Sequence, residues 1–370
     1  MPADNPGPRN DPGPRDAAGG GGAHLDLTIV IPAFNEEARL AEGLERLHGA
    51  VRAGAIDPER TEVILVDDGS TDGTAQVADE LLAGYPHHLV HRVATNRGKG
   101  AAVRTGISLA RSTLCAHMDA DMAIDPISVS DLRLELRAHE VAIGSRALPG
   151  SMVDGRYVVR SLMGRLFNRM VTAGTRLRFA DTQCGFKGFR TPVARLLFHL
   201  VEIDRFAFDV EVLARAAELG LGIAEIPVHW KNVPGSSIHP LHDAVTMVAD
   251  VARVRLDPGR RPTVTSLWLP GTTGTTGTTG RGENIDDTLA ALAEIVTSRT
   301  GRAPLPVVRT PSGGAGVLLA LVDPVVAAAV TADARRHLGA AGLQVRRVRA
   351  ADLARSGPLS GRIDAITDIA

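Results

Sequence analysis

Short apolar runs alternate with longer, more polar segments from Leu27 to Arg146, and this alternation leaves few possible folds. Each run has the length of a buried strand, and the segments between them are long enough for helices. Strands joined by helices in this order favour a mostly parallel sheet with helices on both faces. The sequence therefore predicts a three-layer α/β fold. The predicted strands are Leu27–Pro32, Glu62–Asp67, His88–Ala94, Leu114–Met118 and Val141–Ser145.

Helix signals lie between these runs. Asn35–Glu37 opens a helix that extends to about Val51, with acids at the N-terminus that the helix dipole favours. Asp72 is a predicted N-cap for the following helix, and a third helix ends near Ala110. Pro126 suits the first position of a later helix, because proline lacks the N–H that would be unsatisfied there.

Two carboxylates, Asp119 and Asp121, follow the fourth predicted strand and are separated by one residue. Side chains two residues apart in an extended segment point to the same side. The ends of parallel strands are where open α/β sheets bind ligands. Converging carboxylates therefore predict Mg²⁺ or Mn²⁺ shared with substrate phosphates. A bare Asp-x-Asp also fits a solvated turn, so the other motifs decide its meaning.

The composition excludes several classes of function. The 370 residues carry a net charge of -1 and 3% aromatic residues, which indicates neither a nucleic-acid footprint nor base-stacking platforms. No apolar run of about 18 residues occurs, and residues 1–24 lack the apolar core of a signal peptide. Cys115 lies in a predicted buried strand, which disfavours a disulfide with Cys184. We therefore expect a cytoplasmic protein in a reducing compartment.

The motifs at the strand ends resemble those of glycosyltransferase family 2. In chain order they are IPAFNEE, VDDGSTDGT, NRGKGAAVRTG, DADM and IGSR. Later matches to the family are Asp181–Lys187, Phe206–Glu211 and Val228–Ser236. These later motifs are similar to the polyprenyl-phosphate branch, most of all to the dolichyl-phosphate β-glucosyltransferases. Over about residues 27–255, the resemblance implies an A-type, Rossmann-like glycosyltransferase fold and inverting transfer of a hexose from a nucleotide diphosphate sugar to a lipid monophosphate.

The resemblance also implies roles for single residues. Asp119 and Asp121 would hold Mg²⁺ or Mn²⁺, and Arg146 would donate to phosphate oxygens. Asp181 stands where the family has a catalytic or acceptor-orienting residue. The other positions implied to bind the nucleotide sugar are Pro32, Phe34, Glu36, Val66, Asp68, Ala120 and Lys231.

Simpler roles stay open for several of these positions. Asp68 is also a residue type that favours turns. Arg146 could equally form a surface ion pair, and Asp181 could cap a turn or a helix. Lys99, between two glycines, lacks the spacing of a phosphate loop and is a weak ligand prediction only. The family's closing motif usually ends in lysine. Here Ser237 takes that place, which leaves Lys231 and a protonated His239 as the predicted phosphate contacts.

A basic segment between residues 156 and 179 predicts contact with a lipid surface. Its arginines, with no acid among them, are Arg156, Arg160, Arg165, Arg169, Arg176 and Arg178. At helical spacing some of these arginines form a stripe beside an apolar stripe, the pattern of a helix on an anionic membrane. Each basic residue near such a surface contributes about 1 kcal/mol. A core-facing helix with a basic edge is the alternative. With the lipid acceptor, the pattern predicts peripheral binding at the inner face of the cell membrane.

The chain beyond about Leu256 lies outside the resemblance. We predict a tail at 1–24, a catalytic domain at 25–256, a low-complexity linker at 257–282 and a small α+β domain at 283–370. The predicted elements of the last part are helices at 285–299 and 325–338 and strands at 316–322 and 343–348. No constellation of catalytic or metal-binding residues occurs there, so its role stays open.

Three functions remain possible from the sequence. The first is transfer of glucose from uridine diphosphate glucose to a polyprenyl or dolichyl phosphate. The second is transfer of mannose from guanosine diphosphate mannose to the same acceptor. The third is a protein that binds a nucleotide sugar without catalysis, which Asp119, Asp121, Arg146 and Asp181 disfavour. Oligomeric state cannot be predicted.

Overall fold

The computed structural model describes residues 25–154, 171, 177–231, 233 and 250. It also describes the backbone at 263–269, 308–309, 315–321 and 344–349, together with residues 294–295 and 332. These parts contain a seven-stranded, a four-stranded and a two-stranded sheet. Up to Lys231 the strands are β1 (Leu27–Ala33), β2 (Thr61–Asp67), β3 (His88–Arg92), β4 (Leu114–His117), β5 (Val141–Ser145), β6 (Met152–Asp154), β7 (Lys187–Arg190), β8 (Ile223–Pro227) and β9 (His229–Lys231).

The main sheet has the strand order β3-β2-β1-β4-β7-β5-β8. The first four strands in this order are parallel neighbours, and β5 is parallel to β8. Strand β7 is antiparallel to both of its neighbours, β4 and β5. The mostly parallel α/β sheet predicted from the sequence is therefore confirmed.

Helices cover both faces of this sheet. Alternate residues of β1 belong to two different cores: Ile29 and Ile31 pack with Leu44, whereas Val30 packs with Leu197. This is the period of two that a strand with two buried faces requires. Each fully buried side chain of this kind stabilises the fold by about 1.5–3 kcal/mol. The helices are α1 (Glu37–Arg52), α2 (Thr74–Leu82), α3 (Lys99–Leu109), α4 (Val129–Glu135), α5 (Thr191–Leu200) and α6 (Phe208–Glu218).

The observed bounds of the elements lie close to the predicted ones, with two differences of detail. Pro126, predicted to begin a helix, instead begins a short 3₁₀ turn, Pro126–Ser128, which leads into α4. Asp72 is not in the N-cap position, which is Gly73, but its Oδ1 accepts the Thr74 N–H at 3.0 Å. Its side chain therefore still caps α2, as its residue type favours.

The first strand of the four-stranded sheet lies inside the segment predicted to be a linker. Strand β10 (Thr263–Leu269) lies within residues 257–282, where a linker is predicted, and pairs antiparallel with β12 (Ala315–Leu321) and β13 (Gln344–Arg349). Its residues are mostly β-branched or apolar and therefore suit a strand. Strand β11 (Val308–Arg309) completes the sheet, and β12 approaches α5. The predicted helices at 285–299 and 325–338 lie largely outside the described residues.

Two further observations concern the cysteines and the lengths of the helices. Cys115 and Cys184 are buried free thiols, and burial raises the pKa of each to about 12, so neither is a reactive thiolate near neutral pH. Across the described residues, every helix is too short or too polar to cross a bilayer.

Candidate active site

The carboxyl ends of β1, β2, β4 and β5 meet at one edge of the main sheet, because these strands run in the same direction. The predicted motifs follow these strand ends, which is where a parallel sheet binds ligands. Strand β7 runs the other way, so its first residue, Lys187, lies at this edge as well. The segment before β7 therefore brings Asp181 to the same place. We call this the catalytic edge.

The turn that carries Asp119 and Asp121 is held by its own hydrogen bonds. The Ala123 N–H donates to Asp121 Oδ1 at 3.0 Å, and the Met122 N–H donates to the carbonyl oxygen of Asp119 at 2.9 Å. Met122 has a φ of 44°, a left-handed conformation that is uncommon for a residue with a side chain. The chain thus turns sharply directly after the second carboxylate.

Two glycines allow other segments to approach this turn closely. A Cβ added at Gly43 of α1 would clash with the carbonyl oxygen of Ala120. A Cβ added at Gly185, in the segment before β7, would clash with the carboxylate of Asp119. Close approach of this kind is possible only for glycine. The two carboxylates are therefore held between α1 and the segment before β7.

Three carboxyl groups at this place act on one another. Burial raises the pKa of Asp121, and the charge of Asp119 raises it further. Burial also raises the pKa of Glu36, although Arg39 Nη2 lies 2.6 Å from Glu36 Oε1 and opposes the shift. Asp121 and Asp119 add to the upward shift of Glu36. The site thus has an excess of negative charge that a cation would offset.

Lys99 supplies part of the opposite charge. Its Nζ lies 2.5 Å from Asp119 Oδ1, although Lys99 is the first residue of α3 and far from Asp119 in sequence. Burial alone would lower the pKa of Lys99, but Asp119, Asp209 and Asp121 more than offset this, and the pKa is raised. Lys99 is therefore a charged member of the site. From the sequence, Lys99 was only a weak ligand prediction.

The residues of the turn fit a divalent cation. The oxygen atoms of Asp119 and Asp121 are the ligands that Mg²⁺ and Mn²⁺ prefer. Among the described residues, no group of three or more His, Cys, Asp or Glu side chains is arranged to hold a metal by itself. Mg²⁺ sites commonly use one or two carboxylates and complete the coordination with substrate phosphates and water. Asp119 and Asp121 are a pair of carboxylates of that kind.

Arg146 and Asp181 form a bidentate ion pair at the catalytic edge. Arg146 Nε donates to Asp181 Oδ2 at 2.6 Å, and Arg146 Nη2 donates to Oδ1 at 2.9 Å. The backbone N–H groups of Arg146 and Gln183 also donate to this carboxylate. Burial alone would raise the pKa of Asp181, but Arg146 lowers it below its ordinary value. The structure thus joins two predicted catalytic residues that are 35 positions apart.

Asp68 has the role of a turn residue in this structure. Its carboxylate accepts the N–H of Gly98 at 2.6 Å and the N–H of Arg97 at 3.1 Å. Burial nevertheless raises its pKa, since these hydrogen bonds oppose the shift only in part. Asp68 therefore fixes the loop that leads to Lys99. The contact with a nucleoside that the family resemblance implies remains a prediction.

The other residues predicted to bind the nucleoside differ in exposure. Pro32 and Val66 lie side by side in neighbouring strands and are both buried, so Val66 can face a ligand only through its backbone. Ala120 is also buried, between the two carboxylates. Phe34 is 39% exposed and follows β1 at the catalytic edge. Of these four side chains, Phe34 alone is available to stack against a base or sugar.

Lys231 lies on a strand beside the turn of Asp119 and Asp121. Its backbone N–H donates to the carbonyl oxygen of Ala123 at 2.8 Å, and its strand, β9, pairs with β6. The segment that contains Lys231 is thus close to the carboxylates. Ser237 and His239 lie outside the described residues, as do the arginines of the predicted lipid-binding stripe: Arg160, Arg165, Arg169 and Arg176.

Sequence reasoning missed three buried polar residues beside the site. Lys187 and His117 are fully buried, and Asp209 is 4% exposed. Lys187 and Asp209 occur in motifs that resemble the family, but their pairing joins two elements 22 positions apart. The only available signal was that both residues lie in family motifs, which does not identify them as partners.

A cavity of about 1260 Å³ lies at the opposite edge of the main sheet. It is lined by the start of β4, the end of β7 and several arginines, among them Arg111, Arg133 and Arg190. These arginines are already bonded to Glu62, to Asp26 and to backbone carbonyl oxygens, respectively. The cavity is therefore separate from the catalytic edge.

Comparison with known proteins agrees with the motifs. Residues 28–198 match the family described as Glycosyl transferase family 2. Dolichyl-phosphate beta-glucosyltransferase from Dictyostelium discoideum is 32% identical over 243 residues, which cover 63% of this chain and 74% of that protein. The human protein of the same name is 37% identical over 243 residues, which cover 62% of this chain and 75% of that protein. The predicted resemblance to this branch is thus confirmed.

Among solved structures, glucosyl-3-phosphoglycerate synthase from Mycobacterium tuberculosis, in complex with phosphoglyceric acid, superposes with a TM-score of 0.47. The identity is 18%, and the match covers 65% of this chain and 84% of that chain. No conclusion about the site follows from a structural similarity of this size.

Proposed function

The chain belongs to glycosyltransferase family 2, and we propose that it transfers glucose from uridine diphosphate glucose to a polyprenyl or dolichyl phosphate with inversion. The acceptor and the sugar are taken from the names of the relatives, the dolichyl-phosphate beta-glucosyltransferases. The observation that carries the proposal is the meeting of Asp119, Asp121, Arg146 and Asp181 at one sheet edge.

The donor would bind across the carboxyl ends of β1, β2 and β4. Phe34 is the exposed side chain that would contact the nucleoside, and Glu36 would accept a hydrogen bond from the base or ribose. Asp119 and Asp121 would hold Mg²⁺ or Mn²⁺ together with the diphosphate. A cation bound there would neutralise charge that develops on the leaving nucleotide diphosphate. Lys99, which contacts Asp119, and Lys231, whose backbone lies beside the turn, would add positive charge on the same side.

Arg146 and Asp181 would orient the reacting groups. Asp181 accepts two hydrogen bonds from the guanidinium of Arg146, and these bonds fix the plane of the guanidinium at the end of β5. A guanidinium fixed in this way presents its donors to a phosphate in one geometry. The acceptor phosphate is already ionised at neutral pH, so a general base is less necessary than for a hydroxyl acceptor. Placing that anion against the anomeric carbon is then the main task of the site.

The lipid acceptor implies that the protein works at a membrane surface. We propose peripheral binding at the inner face of the cell membrane, through the arginine-rich segment between residues 156 and 179. We also propose that the catalytic domain spans 25–256 and that residues beyond 282 belong to a separate small domain. The pairing of Thr263–Leu269 with strands beyond residue 282 supports including this strand in that domain.

A donor screen tests the proposal. The purified chain would be incubated with a short polyprenyl phosphate, Mg²⁺ or Mn²⁺, and one labelled donor at a time. We expect lipid-linked label from uridine diphosphate glucose. Transfer from guanosine diphosphate mannose alone would replace the proposed sugar and base with the mannosyl alternative. Release of nucleotide without lipid-linked sugar would contradict the acceptor.

A further inference from the structure

Arg46, a charged residue of α1, contacts the turn that carries Asp119 and Asp121. Its Nη1 donates to the carbonyl oxygen of Met122 at 3.1 Å, although the two residues are 76 positions apart. Its Nη2 lies 2.6 Å from Glu42 Oε1, one helical turn earlier, and this ion pair orients the guanidinium. Arg46 therefore joins α1 to the peptide group that follows the second carboxylate.

Gly43 brings α1 close enough for this contact. Residues three apart lie on the same face of a helix, so Gly43 and Arg46 face the turn together. A Cβ at Gly43 would clash with the carbonyl oxygen of Ala120, so only glycine allows the helix to lie so near. The approach of α1 and the hydrogen bond from Arg46 are thus parts of one contact.

The peptide group between Met122 and Ala123 connects Arg46 to Asp121. Its oxygen accepts the hydrogen bond from Arg46, and its N–H donates to Asp121 Oδ1 at 3.0 Å. A trans peptide group is planar, with the oxygen and the N–H on opposite sides, so holding the oxygen also fixes the direction of the N–H. A cation beside the oxygen also polarises the peptide group and strengthens the N–H as a donor. Arg46 therefore acts on the carboxylate of Asp121 through one rigid group.

The turn depends on contacts of this kind. Met122 has a left-handed φ of 44°, a conformation that persists in a residue with a side chain only where its surroundings hold it. The next carbonyl oxygen, that of Ala123, is held by the Lys231 N–H at 2.8 Å. With Asp121 Oδ1 bound to the Ala123 N–H, Oδ2 accepts no hydrogen bond from the residues that the structure describes. Oδ2 is therefore the oxygen left for a cation.

We propose that Arg46 is a positioning residue for Asp121: by holding the peptide group after Met122, it orients the carboxylate so that Oδ2 faces the cation. The sign of the effect separates this role from electrostatics alone. Arg46 is itself positively charged, so its charge would repel a cation, and its removal would tighten cation binding. A positioning role predicts weaker binding instead. The inference rests on the metal site proposed above and names a residue that supports it.

The test measures Mn²⁺ binding to the full chain by calorimetry, with the melting temperature as a separate readout. Arg46→Met keeps an apolar stem but removes the donors, and its Mn²⁺ affinity should fall about tenfold, as loss of an outer partner of a metal ligand commonly does. Its melting temperature should fall by only about 2–4 °C, the shift that loss of one hydrogen bond produces in a domain of this size. Arg46→Lys should recover most of the affinity, because an ammonium group can still donate to the oxygen of Met122.

Arg52→Met is the matched control. Arg52 lies on the same helix and its Nη2 pairs with Glu45 Oε1 at 2.7 Å on the exposed surface, so this variant removes the same charge without a change at the turn and should leave Mn²⁺ affinity unchanged. The inference is overturned if Arg46→Met binds Mn²⁺ as tightly as the wild type or more tightly, or if Arg46→Lys binds as weakly as Arg46→Met. A fall in the melting temperature of Arg46→Met far beyond that of Arg52→Met would assign the lost affinity to general destabilisation and would also overturn it. In each of these outcomes Mn²⁺ binding by the wild type would still support the metal site, whereas a wild-type chain that binds no Mn²⁺ contradicts that site and the inference with it.

Discussion

Replacing Asp181 by asparagine tests the ion pair that joins two separate motifs at the catalytic edge. In the wild type the Asp181 side chain is 11% exposed and that of Arg146 is 24% exposed, so water screens the pair only partly. Removing one partner of a buried pair costs about 3–5 kcal/mol. Because Arg146 keeps some access to water, we expect about 3 kcal/mol. The new amide N–H₂ would also face a donor of Arg146, which adds to the loss.

Denaturation by urea at pH 7 measures this change. With a slope of about 3 kcal/mol per molar urea, the expected shift of the midpoint is about 1 M. The wild-type advantage also depends on pH, since the pKa of Asp181 lies below its ordinary value of 3.8 in the folded chain. A depressed carboxyl pKa stabilises the folded state fully above the unfolded value and loses this contribution as the pH falls through the folded value. The difference between the two proteins should therefore be constant from about pH 7 to 5 and should shrink below about pH 4.

Asp125→Asn is the control. Asp125 caps the turn at Pro126 through a hydrogen bond from the Ile127 N–H and has no ion pair among the described contacts, and asparagine caps equally well. This variant should change the stability by less than about 0.5 kcal/mol. The reasoning is refuted if Asp181→Asn matches the wild type at pH 7, or if their difference does not shrink in acid.

Three other predictions follow from the site and the sequence. Asp121→Asn should keep the fold but lose most transfer activity, because a neutral amide is a poorer ligand for a hard cation; near-normal turnover with Mg²⁺ or Mn²⁺ would refute the metal assignment. Replacing Arg165, Arg169 and Arg176 with glutamine should weaken binding to anionic vesicles in a sedimentation assay and leave donor affinity alone, and unchanged binding at moderate salt would favour the core-facing alternative. Truncation after Leu256 should leave a chain that still binds the donor by calorimetry; loss of folding would mean that the contact of β12 with α5 is essential.

The fold was predictable from local sequence where a strand is a continuous apolar run. Val141–Ser145 is observed with its predicted bounds for this reason. Strand β7 was not predicted, because its four residues include Lys187 and Arg190 and read as polar. The long-range pairing of Lys187 with Asp209 and its hydrogen bond to the carbonyl oxygen of Cys184 make the lysine acceptable in the core. Local patterns contain no information about such a partner.

The residues of the site were predictable as a set, but several of their contacts were not. Order along the chain and the parallel sheet place Asp119, Asp121 and Arg146 at one edge. That Arg146 pairs with Asp181, and Lys99 with Asp119, depends on how segments pack after the strands end. Asp68 is the opposite case. Its residue type favours a turn, and in the structure its carboxylate accepts hydrogen bonds within a turn, as the local sequence predicts.

The most direct test of the proposed function is to identify the product of a reaction with uridine diphosphate glucose and a short polyprenyl phosphate. Nuclear magnetic resonance of the purified lipid would report the configuration of the anomeric carbon, with and without a chelator of divalent cations. We predict a single glucosyl phosphate lipid inverted relative to the donor, formed only when Mg²⁺ or Mn²⁺ is present. A product with retained configuration, or equal yield in the presence of the chelator, would contradict the account.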